Sequence, residues 1–402
     1  MANVSSSNGL EKYPKLRFPC FDQPYTVSPL SNYLFENTER NRDLLFDKED
    51  VLSVSGEFGV VNQIEFQGRS FAGESVAEYH VVNTNEVVYT KSPLKANPYG
   101  IIKTNKGVPG IVSTLYAVYH PKECVDPLYV EYYFGNDLRL NKFLKPLVNI
   151  GAKHDMKVNN EFVLTGEVCF PSVIEQQKVV EFLSCLDRRI EKQRTLVEHL
   201  KKYKRGVSNS FFNDIVVSNC SSVLPFGRAV EINPKTKSLP SEFIYIDLES
   251  VESGKLLHEN IISRDNAPSR AQRVLSKGDV LFQMVRPYQK NNFYFDSELS
   301  LPSVASTGYA QIRCGDNDPL FVFEQISSDY FANEAMLRST GTGYPAINAD
   351  SLAEIPFIKL PIEEQQKIGK FLYLLSQRII QEESKLDSLL KVKSAMLQSM
   401  FI

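Results

Sequence analysis

Residues 171–212 read PSVIEQQKVVEFLSCLDRRIEKQRTLVEHLKKYKRGVSNSFF, and residues 361–401 read PIEEQQKIGKFLYLLSQRIIQEESKLDSLLKVKSAMLQSMF. The two stretches are one pattern written twice. Glu175-Gln176-Gln177-Lys178 returns as Glu364-Gln365-Gln366-Lys367, about 190 residues later. A period of that length is not a solenoid repeat; it predicts two tandem copies of a domain followed by a helix. Each helix starts after a proline, Pro171 or Pro361, where a missing N–H does no harm.

Both helices carry an apolar stripe whose steps alternate between four and three residues. The first runs Val179, Leu183, Leu186, Ile190, Gln193, Val197, Leu200, Lys204, Val207, Phe211. The second runs Ile368, Leu372, Leu375, Ile379, Glu382, Leu386, Leu389, Lys393, Met396, Met400. That alternation is the seam of a coiled coil. Both copies interrupt it at matching places, Gln193 with Glu382 and Lys204 with Lys393, and polar seam residues fix register at a cost in stability. Packing the two helices on each other, antiparallel, would cover both stripes; the alternative is that each packs on its own domain. A helix of about 38 residues would be about 57 Å long.

The repetition extends upstream. Asp126-Pro127-Leu128-Tyr129-Val130 matches Asp318-Pro319-Leu320-Phe321-Val322, and Ser113-Thr114-Leu115-Tyr116-Ala117 matches Ser306-Thr307-Gly308-Tyr309-Ala310. Asn85-Glu86-Val87-Val88-Tyr89 matches Gly278-Asp279-Val280-Leu281-Phe282. Between these islands the copies diverge, as a common scaffold with two different surfaces would. The stretches Glu86–Tyr89, Gly110–Tyr119, Phe243–Ile246, Val280–Met284 and Tyr309–Arg313 read as strands; Leu128–Phe134 and Leu320–Ser327 read as helices. The fold class is therefore α+β: two strand-rich domains, each with a twisted, largely antiparallel sheet, and two long helices pairing as an antiparallel coiled coil with pseudo-twofold symmetry. The boundaries read 1–170 for the first domain, 171–212 for its helix, 213–360 for the second domain and 361–402 for its helix.

Composition sets limits. A chain of 402 residues suits two ordinary domains, and 43% apolar residues is usual for a soluble globular protein. No apolar run approaches the ~20 residues that cross a bilayer, and MANVSSSNGLEKYPKL lacks the apolar core of a signal peptide. A cytoplasmic protein without membrane contact is expected. The six cysteines form no CxxC pair, and the five histidines form no HExxH, so neither zinc spacing nor another metal motif is present. A net charge of −3 supplies no global basic excess, so any DNA surface must be local. Local basic runs exist from Arg264 to Lys290 and from Arg188 to Arg205.

Catalytic chemistry is not legible. There is no P-loop and no GxGxxG, and Gly341-Thr342-Gly343 lacks a strand–turn–helix setting. Asn97-Pro98-Tyr99 is one proline short of the element an amino-methyltransferase uses to grip its target amine. Glu383-Ser384-Lys385, half of a nuclease motif, lies on the heptad helix, where ion pairing is the ordinary use.

The ordered, duplicated set of motifs resembles the specificity subunits of type I restriction–modification systems, over nearly the whole chain. The helix starts PSVIEQQ and LPIEEQQ carry the resemblance, as do FGRAVEINPKTK at 226–237, FIYIDLES at 243–250, GDVLFQMVRPY at 278–288 and the leader YPKLRFP at 13–19. The first copy departs from the pattern, with Lys91-Ser92-Pro93-Leu94 where the second has Val285-Arg286-Pro287-Tyr288.

The resemblance implies a non-catalytic subunit that recognises double-stranded DNA. Each domain would read half of a bipartite site, and the helices would set the spacer. It would recruit two methylation subunits and restriction subunits; no cofactor is expected in this chain, while S-adenosylmethionine, ATP and Mg would belong to the partners. The EQQ turns and helix ends are the expected docking places. Candidate DNA contacts in the second copy are Arg270, Arg273, Arg286, Tyr288, Lys290, Thr307, Tyr309 and Arg338, with Arg286-Pro287-Tyr288 foremost: a proline-stiffened loop offering a fork donor and an aromatic. In the first copy they are Lys91, Ser92, Lys95, Asn97, Lys103, Lys106, Thr114 and Lys157. The rival readings are a two-headed coiled-coil scaffold that binds proteins without DNA, and an enzyme fragment with an unrecognised motif.

Overall fold

The computed structural model describes residues 12–150, 156–212, 223–235, 238–296 and 299–402. It divides into two compact units, Met1–Lys192 with Leu386–Ile402, and Gln193–Lys385. Each long helix is thereby shared: Val173–Phe212 gives its first half to the first unit, and Ile362–Ser399 gives its last turns to that same unit.

The first unit is built on a four-stranded antiparallel sheet in the order Leu34–Glu36, Tyr116–Pro121, Val87–Thr90, Ile102–Thr104. Val87–Thr90 is buried at every position, as a β-branched and aromatic run covered on both faces should be. Two-stranded pairings surround it: Thr26–Pro29 with Glu167–Phe170, His80–Val82 with Gly110–Val112, Asn149–Ile150 with Met156–Lys157, and the hairpin Leu52–Ser55 with Gly59–Asn62. The second unit repeats the central sheet with the same order: Glu231–Ile232, Tyr309–Arg313, Val280–Gln283, Phe293–Tyr294. It adds a sheet ordered Asn260–Ser263, Glu242–Ile246, Ser303–Ser306, Ala271–Val274, in which Glu242–Ile246 runs parallel to Ser303–Ser306.

Neither unit has the single sheet expected from the strand pattern. Gly110–Tyr119, read as one strand, breaks at a turn closed by Tyr116 N–H on Ser113 O at 3.1 Å. Its two halves then pair in different sheets. Short apolar runs cannot by themselves say whether a turn between them changes sheet.

The repeated Asp-Pro is a helix start. Asp126 caps Pro127–Tyr133 through Leu128 N–H at 2.9 Å, and Asp318 caps Pro319–Ile326 through Phe321 N–H at 2.9 Å. The first glutamine of each EQQ meets that same cap. Gln176 Oε1 accepts from Asp126 N–H at 3.0 Å, and Gln365 Oε1 accepts from Asp318 N–H at 2.9 Å; both amides are buried. Gly369 lies where the second helix passes closest to this cap: a Cβ there would sit 2.5 Å from Phe321 N.

Glu175 is buried as well. Arg17 donates to it twice, at 2.8 and 2.7 Å, and Tyr25 OH once at 3.1 Å. The bond to Glu175 raises the Arg17 guanidinium above its usual value, and burial raises the Tyr25 phenol. Glu175 and the first glutamine of each EQQ turn are therefore internal staples. In the two EQQK stretches Gln177, Lys178, Glu364, Gln366 and Lys367 face solvent.

Within each unit the two long helices pack together and run antiparallel. In the second unit Gln193 Nε2 donates to Glu382 Oε2 at 2.7 Å and to Glu382 O at 2.9 Å; further on, Phe212 joins the cluster that holds Leu372. In the first unit Lys393 pairs with Asp187 at 2.6 Å, and Leu397 and Met400 lie in one cluster with Leu183, Val180 and Val179. Leu183, Ile190, Val197, Leu372 and Ile379 are buried, and Leu186, Leu200, Leu375, Leu386 and Leu389 are half-buried. The amide of Gln193, then Lys385 and Arg378, hold the Glu382 carboxyl below its usual range.

A phenylalanine stands at the matching place of each copy, Phe212 as the last residue of the first long helix and Phe401 two residues past Ser399, and each ring enters a core. Phe401 lies in the first unit, 5.1 Å from the Tyr129 ring; Phe212 lies in the second, 5.6 Å from Phe321. Arg139 clamps the first of these ends. Its guanidinium lies over Tyr133 and Phe401 and donates to Leu397 O at 3.1 Å and Ile402 O at 3.2 Å.

The lysine interrupting each seam meets an acid, but the acid comes from different elements. Lys204 reaches Glu324 at 2.8 Å, a carboxylate on the domain helix that also accepts from Ser376 Oγ at 2.9 Å. Lys393 reaches Asp187 on the long helix, which accepts from Tyr132 OH at 2.8 Å. By the repeat, Asp187 occupies the place of Ser376 and Tyr132 the place of Glu324. The charge has changed position between copies while the acid–hydroxyl–lysine contact has persisted.

Candidate nucleic-acid interface

A framework acid anchors the strand that leads into the foremost loop. Asp279 is buried, accepts from Ser276 N–H at 2.8 Å and Gln311 Nε2 at 2.7 Å, and pairs with Arg313 at 3.2 Å. The first unit repeats this with Glu86, which takes Asn83 N–H at 2.7 Å and Asn37 Nδ2 at 2.8 Å, and with His120, 3.1 Å away in the place of Arg313. The duplicated acid is thus structural.

From Val280–Gln283 the chain leaves the sheet into Arg286-Pro287-Tyr288. Pro287 is buried and starts a 3-10 turn, Pro287–Gln289, flanked by left-handed backbone at Arg286 (φ 55°) and Lys290 (φ 53°). Gln283 braces the turn from below: its amide donates to Gln289 Oε1 at 2.8 Å and accepts from Asn291 N–H at 3.0 Å. Tyr288 is held out, 53% exposed. A second loop lies alongside. Arg286 N–H donates to Pro345 O at 2.7 Å, and Thr340 and Ala346 exchange both backbone bonds, at 2.9 and 3.0 Å. This loop presents Tyr344, whose ring centroid is 4.3 Å from the Arg286 guanidinium carbon.

Tyr344 is absent from the sequence-based candidates. The sequence signal beside it is Gly341-Thr342-Gly343, which forms a tight turn in which Gly341 adopts φ 93°.

The remaining candidates in this unit separate by what already holds them. Lys290 pairs with Asp329 and Arg338 with Glu334. Arg270 and Thr307 meet through the backbone, Thr307 N–H on Arg270 O at 2.8 Å, and the Arg270 side chain is exposed. Arg273 is half-buried, its Nε has no partner, and burial lowers its pKa. Tyr309 is a correction: it points into the core with its OH enclosed, so no base can reach it.

In the first unit Ser92, Lys95 and Thr114 are exposed, and Lys91 donates to Asn160 Oδ1 at 3.3 Å. Lys106 is exposed and pairs with Glu131 at 2.9 Å. Burial pushes the ammonium groups of Lys91 and Lys103 down from the usual lysine value. Asn97 is a second correction: it is buried, with Nδ2 on Asp137 at 2.9 Å, because it closes the 94–97 turn. Lys157 lies on the Met156–Lys157 strand, and its side chain is outside the described residues. Glu383, from the half nuclease motif, pairs with Lys201 at 2.6 Å on the long helices. Among the described residues no three His, Cys, Asp or Glu side chains gather as a metal site, and no helix is long and apolar enough to cross a membrane.

Sequence comparison finds the "Type I restriction enzyme MjaVIII specificity subunit" of Methanocaldococcus jannaschii, 24% identical over 78% of this chain and 75% of that protein. It also finds the "Type I restriction enzyme HindI specificity subunit" of Haemophilus influenzae, 28% identical over 40% of this chain and 35% of that protein. The crystal structure of a type I restriction–modification S subunit from M. genitalium matches 97% of this chain and 99% of its own length, with TM-score 0.59 and 16% identity. In sequence and in fold, the chain is like the type I specificity subunits. No family model matches it. The likeness to the solved S subunit is one of fold, and it takes in both units and both long helices of this specificity-subunit-like chain.

Proposed function

We propose that this chain is the non-catalytic DNA-recognition subunit of a type I restriction–modification complex. Domains 1–170 and 213–360 each read one half of a bipartite site, and helices 171–212 and 361–402 set the number of unread base pairs. The observation that carries the reading is the twice-built framework: the same four-strand order and the same helix-end contacts, bearing different exposed loops. A scaffold that bound one protein partner twice would have no need for two different loop sets. S-adenosylmethionine, ATP and Mg belong to the partner subunits, and the complex is cytoplasmic.

Two methylation subunits need equivalent docking places, and the outer faces of the long helices offer them. Lys178, Phe182, Cys185 and Arg189 are exposed, and so are Lys367, Phe371, Leu374 and Arg378 at the matching places. The steps are again four, three, four, so each set forms a stripe on one helix face. Replacing Phe182 and Phe371 with aspartate is expected to stop the methylation subunits co-purifying with a folded chain; undiminished co-purification removes the stripe from consideration.

The function is tested by sequencing methylated adenines in the host with and without the gene. A bipartite motif that disappears on deletion is expected, and exchange of residues 222–360 for those of another specificity subunit should alter one half only. A methylome that does not change on deletion rejects the reading.

A further inference from the structure

Arg286 is held unlike an ordinary surface arginine. Its backbone is left-handed at φ 55°, an unfavourable state for a residue with a side chain, which persists only where the surroundings impose it. Buried Pro287 on one side and the 2.7 Å bond to Pro345 O on the other impose it here. Among the described residues no carboxylate pairs with the guanidinium and no acceptor takes its N–H groups. Its one side-chain partner is the ring of Tyr344, 4.3 Å away and 69% exposed. Four other basic groups of this unit are committed: Arg313 to Asp279, Arg338 to Glu334, Lys290 to Asp329, Arg264 to the carbonyls of Leu239 and Pro240.

A cation over an aromatic face is attracted weakly in water and more strongly once water is excluded. Such a contact engages the face of the guanidinium and leaves its donor fork available. The fork matches two acceptors on one edge, which in a DNA major groove is the N7/O6 edge of guanine. We infer that Arg286 reads a guanine in the half-site of the second domain, and that Tyr344 is the positioning residue that orients the fork. The inference rests on the DNA-recognition reading above and adds the base and the pair of residues.

The test uses the full chain with its methylation subunits in a host whose methylated adenines are sequenced. The half-motif that changes on exchange of residues 222–360 should contain an invariant guanine. Arg286→Gln and Tyr344→Ala should each relax that single position, lowering discrimination roughly five- to hundred-fold, while Tyr344→Phe, which keeps the ring, restores it. Retained selectivity in the other half shows that the variants fold. Where a variant methylates nothing, binding of the purified complex to duplexes substituted at single bases reads the same preference. Guanine retained in both variants, or a loss spread evenly over all positions as a phosphate contact would give, overturns the inference alone. A wild-type complex with no bipartite motif overturns the underlying reading as well.

Discussion

Replacing Phe401 with alanine is expected to destabilise the first unit by about 3–5 kcal/mol, the usual loss for a buried phenylalanine. The ring is 4% exposed and packs on Tyr129, with Arg139 across its other side. Its removal opens a cavity among packed aromatics, where the Phe170 centroid already lies 5.2 Å from that of Tyr129 and 4.9 Å from that of Tyr133, so the site has little freedom to collapse. The consequence is specific to place. Phe401 lies just past the helix that follows the second domain, yet the damage falls on the core built from the first. Hydrogen exchange separates the two: protection should fall around Tyr129–Tyr133 and persist around Phe321. Phe212→Ala should show the converse, because that ring packs on Phe321 in the second unit. Loss of protection around Phe321 in the Phe401 variant would contradict the assignment.

Replacing Lys204 with methionine is expected to destabilise the second unit by roughly 3 kcal/mol. Glu324 has a side chain 1% exposed, and among the described residues the partner it keeps without the ammonium is the Ser376 hydroxyl. A buried carboxylate left without its countercharge carries most of its desolvation penalty uncompensated. The matching change, Lys393→Met, should cost about 1 kcal/mol or less, because Asp187 is 29% exposed and still bonded by Tyr132. Urea denaturation of both variants checks the asymmetry, and Lys204→Met with Glu324→Gln should recover much of the first loss. Equal effects at the two lysines would mean that burial of the acid is not what decides them.

These two results depend on features of unequal legibility. The heptad stripes could be read directly, because helical spacing is a local property and twenty matched positions repeat it. The polar interruptions were equally visible, but not their partners. Gln193 meets Glu382 within the seam, whereas Lys204 leaves it for Glu324 on a domain helix. In the proposed DNA surface, Arg286 and Tyr288 could be found from proline, charge and aromatic character in one short run. Tyr344 could not, since it meets Arg286 only after two loops far apart in sequence lie side by side. Asn97 and Tyr309 misled for the opposite reason: side-chain chemistry suited to bases is the same chemistry that closes turns and fills cores.

The sequence by itself determined the duplication, the two long helices, their heptad stripes and the likeness to specificity subunits. Each of these is written in residue order and period, which survive without knowledge of any distant contact. Tertiary structure alone decided that the first glutamine of each EQQ turn is an internal staple, that each helix end lodges beside an aromatic from the other repeat, and that the lysine-bound acid lies on different elements in the two units. Those outcomes depend on which groups lose water together, and desolvation is a property of neighbours in space rather than neighbours in the chain.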